Sequence, residues 1–263
     1  MKSAFGARRV AFFDLDKTVL ATSATLALTG PLLRSGLMSR MDLARGFQAQ
    51  LSYHLLDASH ERSERVKDSL SAMVAGWPVS EFETVINEAL HSEIEPIVYR
   101  EALDAISAHQ AAGHAVIISS ASAEAIVSPI MRMLGANGMI ATVLEERDGA
   151  YTGNIAHYNY GEAKAVAARS LAARHGWDLA ESWAYSDSVT DEPLLRVVGN
   201  PVAVNPNRPL ARIARDEGWQ IRRFDHPVRL EDRVASPLAV AVALATIGAI
   251  GALAFVLWRR KAS

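Results

Sequence analysis

Two carboxylates, Asp14 and Asp16, follow an apolar run at residues 10–13, VAFF, and a single leucine separates them. A short run rich in valine and phenylalanine is typical of a buried strand in a parallel sheet. Open parallel sheets bind their ligands at the carboxyl ends of the strands. The two acids therefore occupy a position that favours chemistry.

Further polar residues follow other apolar runs. Ser120 follows HAVIIS, Asp187 follows SWAYS, Asp191 lies four residues later, and Lys164 falls in the first turn of an amphipathic helix. Because the carboxyl ends of neighbouring parallel strands meet at one edge, we predict that these groups share a crevice with the first two acids. Carboxylates at this density repel one another, and a single lysine leaves charge that a cation would neutralise. Ligands that are all oxygen favour Mg²⁺.

This combination indicates phosphoryl transfer through an aspartyl-phosphate. Asp14 would attack phosphorus, since a carboxylate can carry such an intermediate. Asp16 would protonate the departing alkoxide and later take a proton from the attacking water. Bound Mg²⁺, Lys164 and the Ser120 hydroxyl would neutralise charge on the phosphoryl oxygens, as would the backbone N–H groups of a loop at Ala121 and Ser122.

The elements that position these residues follow from the hydrophobic pattern. Beyond the first strand, apolar runs predict strands at 114–119, near 139–143, and at 182–187, 201–206 and 219–224. An Asp-Gly pair at 148–149 predicts a turn between short strands. Helical periodicity at 97–112, 123–134 and 160–176 alternates with the strands. This alternation predicts an α/β fold, a Rossmann-like parallel sheet with helices on both faces.

Residues 20–95 have a different pattern, with helical periodicity at 23–33, 40–56, 61–74 and 79–91 and no convincing strand. We therefore predict a catalytic core made of residues 1–19 and 96–226. An all-helical cap at 20–95 would be inserted in it directly after the two acids. A module rooted there can close over a substrate and exclude water.

The C-terminal tail is unlike the rest of the chain. No charged residue occurs from 238 to 258, and a helix of that length could cross a hydrocarbon core of roughly 30 Å. Trp258 and the Arg-Arg-Lys run after it look like interfacial anchors. A buried core helix is the alternative interpretation. We expect a linker at 227–237, a transmembrane helix at 238–258, and a membrane-anchored protein whose catalytic domain is cytoplasmic.

Composition excludes several classes of function. The net charge of -2 and the absence of basic stretches interleaved with aromatic residues argue against a nucleic-acid partner. The chain has no cysteine, so disulfides, thiolate metal sites and cysteine nucleophiles are excluded. The partner that we expect is a small phosphorylated substrate, together with the membrane through the C-terminal helix.

The motifs DLDKT, ISSAS, GEAK and YSDSVTDEP resemble, in this order, the four motifs of the haloacid dehalogenase superfamily over most of residues 8–226. The helical insertion between the first two motifs is similar to that of subfamily IB, which includes phosphoserine phosphatase. The resemblance implies a HAD-like fold and a phosphatase activity that depends on Mg²⁺. It implies that Asp14 is the nucleophile, that Asp16 is the acid and base, and that Asp14, Asp187 and the backbone carbonyl of Asp16 bind the metal. It also implies that Ser120 and Lys164 bind phosphate, that Thr18 has a supporting role, and that Asp191 lies next to the metal ligands.

One position departs from the phosphoserine phosphatases. These enzymes resemble one another in having, nine residues after the nucleophile, a glutamate that receives the substrate ammonium, and this chain has Ser23 there. An arginine of the insertion would bind the substrate carboxylate, and Arg45, Arg62 and Arg65 are candidates. Other functions therefore stay open: a phosphatase for a lipid-linked or other non-serine phosphomonoester, a phosphotransferase using the same site, or a tethered module that binds phosphorylated ligands without turnover.

Overall fold

The described part of the chain folds around a central sheet. The computed structural model describes residues 8–39 and 74–227. The strands in these residues are β1 Val10–Asp14, β2 Ala115–Ala123, β3 Gly138–Arg147, β4 Ala150–His157, β5 Trp183–Ser186, β6 Asn200–Val204 and β7 Gln220–Arg222. The α-helices are α1 Ala24–Ser35, α2 Val79–Ala89, α3 Arg100–Ala111, α4 Glu124–Met133, α5 Glu162–His175, α6 Glu192–Arg196 and α7 Arg208–Asp216.

The strand order in the sheet is β4-β3-β2-β1-β5-β6-β7. All neighbours are parallel except β3 and β4, which form an antiparallel hairpin. The turn of this hairpin is Asp148-Gly149, where both residues have positive φ, as a type I′ turn requires. From β1 the chain builds the sheet outward on one side through β2 and β3, and on the other through β5, β6 and β7. The order therefore reverses beside β1, which is where open α/β sheets form ligand crevices.

Helices cover both faces of the sheet, so the central strand β1 is buried on both of its faces. Side chains alternate along a strand, so Val10 and Phe12 point to one face while Ala11 and Phe13 point to the other. The first pair packs in a core with apolar residues of α5, α6 and α7. The second pair belongs to a larger core with residues of α1, α2, α3 and α4. The predicted α/β fold with a mostly parallel sheet is confirmed.

The cap prediction is only partly covered by the described residues. Helices α1 and α2 pack against the larger core, and a π-helical turn Leu90–Ile94 and a 3₁₀ turn Glu95–Ile97 continue from α2 to the core. The helices predicted at 40–56 and 61–74, with Arg45, Arg62 and Arg65, lie almost wholly outside the described residues. The division into core, cap and linker therefore stays a prediction.

The expected membrane anchor needs correction. Within residues 8–39 and 74–227, the structure contains no helix that is both long enough and apolar enough to cross a bilayer. The segment at 238–258, which carried the prediction, lies outside the described residues. The expectation of a transmembrane helix and a membrane-anchored protein is therefore withdrawn.

Candidate active site

The acids predicted from the sequence lie at the point where the strand order reverses. Asp14 is the last residue of β1, and Asp187 directly follows β5, the strand beside it. Asp191 closes a short 3₁₀ turn, Val189–Asp191, just beyond Asp187. Parallel pairing brings these segments to one edge, so residues far apart in sequence come together. The position of these residues at the ends of apolar runs is what predicted this convergence.

Lys164 joins two of these acids. Its Nζ donates to Oδ1 of Asp14 at 2.7 Å and to Oδ2 of Asp191 at 2.8 Å. Lys164 is only 3% exposed and Asp191 only 2%, so these ion pairs are shielded from water. Ser186 Oγ also donates to Oδ2 of Asp191 at 2.8 Å. The ammonium therefore fixes Asp14 relative to the turn that follows β5.

Burial and charge set the protonation of this cluster. Burial raises the pKa of the Asp14 carboxyl, Lys164 opposes the rise, and the charges of Asp191 and Asp187 add to it. Burial alone would lower the pKa of Lys164, but the two carboxylates outweigh it, and the net shift is upward. Burial is also the main reason that the pKa of Asp187 rises to about 6. Lys164 therefore stays charged beside an excess of carboxylates.

A tight turn after β1 arranges the next residues of the motif. Lys17 has a φ of 63°, and the turn lets the carbonyl of Leu15 accept hydrogen bonds from the N–H groups of Val19 and Leu20. Thr18, fully buried, donates from Oγ1 to Oδ2 of Asp14 at 3.2 Å. Both oxygens of Asp14 thus accept hydrogen bonds, one of them from Thr18, the residue to which the resemblance gives a supporting role.

Asp16 connects the sheet to the first helix of the insertion. Its Oδ1 accepts a hydrogen bond from the N–H of Ala24, the first residue of α1, at 2.6 Å. Its Oδ2 accepts one from the hydroxyl of Ser122 at 3.0 Å. Burial raises the pKa of Asp16, although both hydrogen bonds oppose the rise. Asp16 is half-buried and is held in one orientation from two sides.

The segment after Ser120 differs from the predicted loop. β2 continues through Ala123, which pairs with Thr142 of β3, so Ala121 lies in an irregular part of the strand. Ser120 is fully buried, and its Oγ accepts a hydrogen bond from the N–H of Ser122 at 3.0 Å. The register of β2 shifts between Ser119 and Ala123, which lets the backbone arch without ending the strand.

Two residues at this edge were missed by the sequence analysis. Thr142 and Asn159 are buried, and their side chains donate to the backbone carbonyls of Ala121 and Ser120. Neither residue belongs to a motif. Thr142 lies in β3, and Asn159 follows β4, so only the folded hairpin brings them to the end of β2. The Ser122 hydroxyl, which contacts Asp16, was missed as well.

The residues present suit a magnesium ion. Three carboxylates, Asp14, Asp187 and Asp191, share the edge with a single buried ammonium, that of Lys164. The donors are all oxygen, which is the set that Mg²⁺ prefers. A divalent cation would also offset the neighbouring negative charges that, after burial, raise the pKa values of Asp14 and Asp187. Asp14, Asp187 and the backbone carbonyl of Asp16 are the residues that would hold it.

A separate set of metal-ligating groups lies where the chain after β7 meets α3. Ligand atoms of Glu101, Asp225 and His226 lie within 4.8 Å of one another. Hydrogen bonds explain this proximity, because Glu101 accepts from the N–H groups of Asp225 and His226 and contacts Nδ1 of His226 at 2.6 Å. We interpret this cluster as a clamp that closes the chain onto α3.

Comparison with known proteins agrees with this geometry. A model of the family described as "haloacid dehalogenase-like hydrolase" matches residues 11–196, which include both acids of the first motif, Ser120, Lys164 and Asp191. The chain belongs to this family. The match covers more than half of the chain and runs from β1 through β5, with only Val10 of β1 outside it, so the fold described above is a HAD-like fold.

Relatives specify the class of enzyme. "Probable phosphatase Rv3661" of Mycobacterium tuberculosis is 44% identical over 261 residues, covering 97% of this chain and 91% of the relative. "Phosphoserine phosphatase SerB1" of the same organism is 33% identical over 246 residues, covering 93% and 79%. A crystal structure of a Bordetella pertussis protein of unknown function has a TM-score of 0.73 and 32% identity, covering 83% of this chain and 99% of that one. The chain is an enzyme of the phosphatase class within its family.

Proposed function

We propose that the protein is a Mg²⁺-dependent phosphomonoester hydrolase that works through an aspartyl-phosphate on Asp14. The observation that carries this proposal is the contact of Asp14 with the buried Lys164 at the carboxyl end of β1. A carboxylate placed there can act as a nucleophile, and the ammonium beside it can neutralise an incoming phosphoryl group. The site thus combines attack and charge stabilisation at one position.

In the first step, a carboxylate oxygen of Asp14 forms a bond to phosphorus while the bond from phosphorus to the ester oxygen breaks. Lys164 donates to Oδ1 and Thr18 to Oδ2, so the carboxylate is oriented before the substrate arrives. Such preorganisation lowers the entropic cost of attack. When bound, Mg²⁺ supplies Lewis-acid stabilisation of the phosphoryl oxygens. Asp191 keeps the ammonium charged and in place.

Asp16 is the acid and base in this proposal. It holds a proton at a carboxylate oxygen and gives it to the departing alkoxide. In the second step Asp16 takes a proton from water, whose oxygen bonds to phosphorus as the bond from phosphorus to Asp14 breaks. The products are inorganic phosphate and the original carboxylate. The N–H of Ala24 and the hydroxyl of Ser122 hold Asp16 for both proton transfers.

The substrate that we propose is a small phosphomonoester. Identity to a phosphoserine phosphatase supports an amino-acid phosphate, but Ser23 carries no charge to receive an ammonium group. Ser23 directly precedes α1, next to Ala24, whose N–H donates to Asp16. We therefore expect phosphoserine to have no large advantage over an uncharged phosphomonoester of similar size. The lipid alternative rested on the membrane anchor and on an insertion rich in leucine and alanine; with the anchor withdrawn, we do not propose a lipid substrate.

Release of phosphate from an aryl phosphate tests the proposed function. Wild-type protein with Mg²⁺ should release phosphate, and a chelator should abolish the release. Asp14→Asn should lower the rate by a factor of about 10³ or more, because the amide is a poor nucleophile. Asp148→Asn is the matched control, since Asp148 lies in the exposed hairpin turn, outside the site. Activity of Asp14→Asn equal to that of the control would contradict the proposal.

A further inference from the structure

Two buried side chains hold the backbone of β2 just beyond the nucleophile. Nδ2 of Asn159 donates to the carbonyl of Ser120 at 2.9 Å, and Oγ1 of Thr142 donates to the carbonyl of Ala121 at 2.7 Å. Asn159 is fully buried and Thr142 is 3% exposed. Two consecutive peptide units of the phosphate-binding segment are therefore fixed from one side by side chains that play no part in the steps above.

The two side chains also support each other. Oγ1 of Thr142 accepts a hydrogen bond from the N–H of Asn159 at 3.2 Å, and Nδ2 of Asn159 also donates to the carbonyl of Ile140 at 2.9 Å. The Thr142 hydroxyl is thus used as donor and as acceptor. A buried network in which each donor has a partner keeps its geometry, because breaking one bond leaves a polar group without solvent.

Because the peptide unit is planar, holding the carbonyl of Ser120 also fixes the direction of the N–H of Ala121. In a trans peptide unit the C=O and the next N–H point to opposite sides. Since Asn159 holds the carbonyl of Ser120 toward β3, the N–H of Ala121 points to the β1 side. β1 pairs with β2 only as far as Asp14 opposite Ser119, so no strand residue of β1 competes for this N–H.

The arch of β2 brings its β1 side close to Asp14 and Asp16. Ser119 pairs with Ile140 and Ala123 with Thr142, so four steps along β2 correspond to two steps along β3. The additional residues bulge away from the ladder. The contact of the Ser122 hydroxyl with Asp16 shows that the arch faces the site.

We infer that Thr142 and Asn159 are positioning residues that aim the N–H of Ala121 at the phosphoryl group bound beside Asp14. This inference rests on the proposed function. A preorganised N–H donor stabilises charge that develops on a phosphoryl oxygen, and it does so without reorganising during the reaction. Without the two side chains, the peptide unit between Ser120 and Ala121 could rotate and the donor would be lost.

Replacement of the Thr142 hydroxyl tests the network, because this group holds the carbonyl of Ala121 directly and supports Asn159, which holds the Ser120–Ala121 peptide unit. Thr142→Val keeps the shape of the side chain but removes the donor to Ala121 and the acceptor for Asn159. Thr142→Ser keeps the hydroxyl and loses only a methyl group. We expect Thr142→Val to lower kcat/KM for an aryl phosphate by about 10-fold or more, because removing one donor of this kind costs about 10²–10³ and here the donor is misaligned rather than deleted. Thr142→Ser should stay within about 3-fold of wild type.

A second measurement separates misalignment of the Ala121 N–H from a general loss of stability. Affinity for inorganic phosphate in the presence of Mg²⁺, measured by calorimetry, should fall by about 10-fold in Thr142→Val and stay near wild type in Thr142→Ser, following the loss of an aligned donor. Thermal unfolding of both variants reports any general destabilisation. Phosphate affinity and kcat/KM unchanged in a folded Thr142→Val protein would overturn the inference.

If Thr142→Val does not fold, Asn159→Leu replaces it, since this variant has nearly the same size, removes both Nδ2 donors and adds no charge that would itself repel phosphate. It should show the same loss of phosphate affinity, and wild-type affinity would overturn the inference. Because calorimetry needs no turnover, wild-type protein that binds phosphate but hydrolyses no ester would contradict the proposed function while leaving this comparison intact.

Discussion

Nζ of Lys164 lies 2.7 Å from Oδ1 of Asp14, and both residues are almost completely buried. The pair joins the end of the first strand to a helix 150 residues further along the chain. An ion pair removed from water is costly unless its other hydrogen-bonding groups are satisfied, and here Asp191 and Thr18 satisfy them. The site is therefore assembled by the fold and depends on this one ammonium.

Removal of the ammonium should damage both stability and activity. Lys164→Met would leave Asp14 and Asp191 as buried carboxylates without a counter-charge, and breaking such a pair costs about 3–5 kcal/mol. Denaturant unfolding should show that the free energy of unfolding falls by this amount, or by less at a pH where the acids are protonated. Hydrolysis should cease. Lys164→Arg, which keeps the charge, should lose less stability. A Lys164→Met protein with wild-type turnover would show that the ammonium has no role in catalysis.

The Ser122 hydroxyl should matter most for poor leaving groups. Its hydrogen bond holds Asp16, and an alkoxide needs a proton from that acid more than an aryl oxide does. In Ser122→Ala, kcat/KM should fall by about 10-fold for an alkyl phosphate and clearly less for an aryl phosphate with a good leaving group. Ser122→Thr should restore the wild-type ratio. An equal loss with both substrates would mean that Ser122 does not act through Asp16.

Gly199 should not tolerate a side chain. A Cβ at this position would lie 1.7 Å from the carbonyl oxygen of Ala180, so the 3₁₀ turn Leu179–Glu181 would have to move. Overpacking of this kind costs about 1–3 kcal/mol or more. Gly138→Ala is the matched control, because its Cβ would meet only the end of the Ile117 side chain, at 3.1 Å. Urea unfolding should rank Gly199→Ala as much less stable than Gly138→Ala; equal values would contradict the close packing.

The clamp of Glu101 and His226 should make stability depend on pH. Hydrogen bonds, mainly that from His226, lower the pKa of Glu101 from 4.5 to about 2 against the opposing effect of burial. The hydrogen bond to Glu101 raises the pKa of His226 above 6.5. Glu101 therefore contributes stability that is present above pH 4.5 and lost as the pH falls toward 2. His226 contributes stability that is present below pH 6.5 and lost as the pH rises through its raised pKa.

Both contributions are present together between pH 4.5 and 6.5. Thermal unfolding of wild type and His226→Gln should thus differ most near the middle of this window and converge in alkaline solution. Asp148→Asn, in the exposed hairpin turn, serves as the control whose difference from wild type should not follow this pattern. A difference that grows above pH 8, about 1.5 units beyond the usual histidine pKa, would contradict the clamp.

The central strands and most of the site could be predicted because they have local signals. β1 is buried on both faces, so residues 10–13 form a continuous apolar run. Such a run can be recognised in the sequence as a buried strand. Asp14, Asp187 and Lys164 sit at element ends that the hydrophobic pattern marks. Parallel pairing then brings them together, so knowing the strands was sufficient to predict the crevice.

Other features depend on tertiary pairing and have no local signal. A strand near 139–143 and a separate short strand before the Asp148-Gly149 turn were predicted, but they form one strand, β3, which continues to Arg147 because the residues after 143 pair with β4. Ala121 was assigned to a loop, yet the pairing of Ala123 with Thr142 keeps it in β2. Asn159 lies just before the GEAK motif but outside it, and its contact with Ser120 exists only once the hairpin is packed beside β2.

Chemical trapping at Asp14 tests the central claim most directly. Wild-type protein is mixed with Mg²⁺ and a phosphomonoester, quenched in acid, and reduced with borohydride, which converts an aspartyl-phosphate to homoserine. Peptide mass spectrometry should then find homoserine at position 14 in wild type and no such conversion in Asp14→Asn. Phosphate release by the wild type without conversion at position 14, or with conversion at another aspartate, would contradict the account.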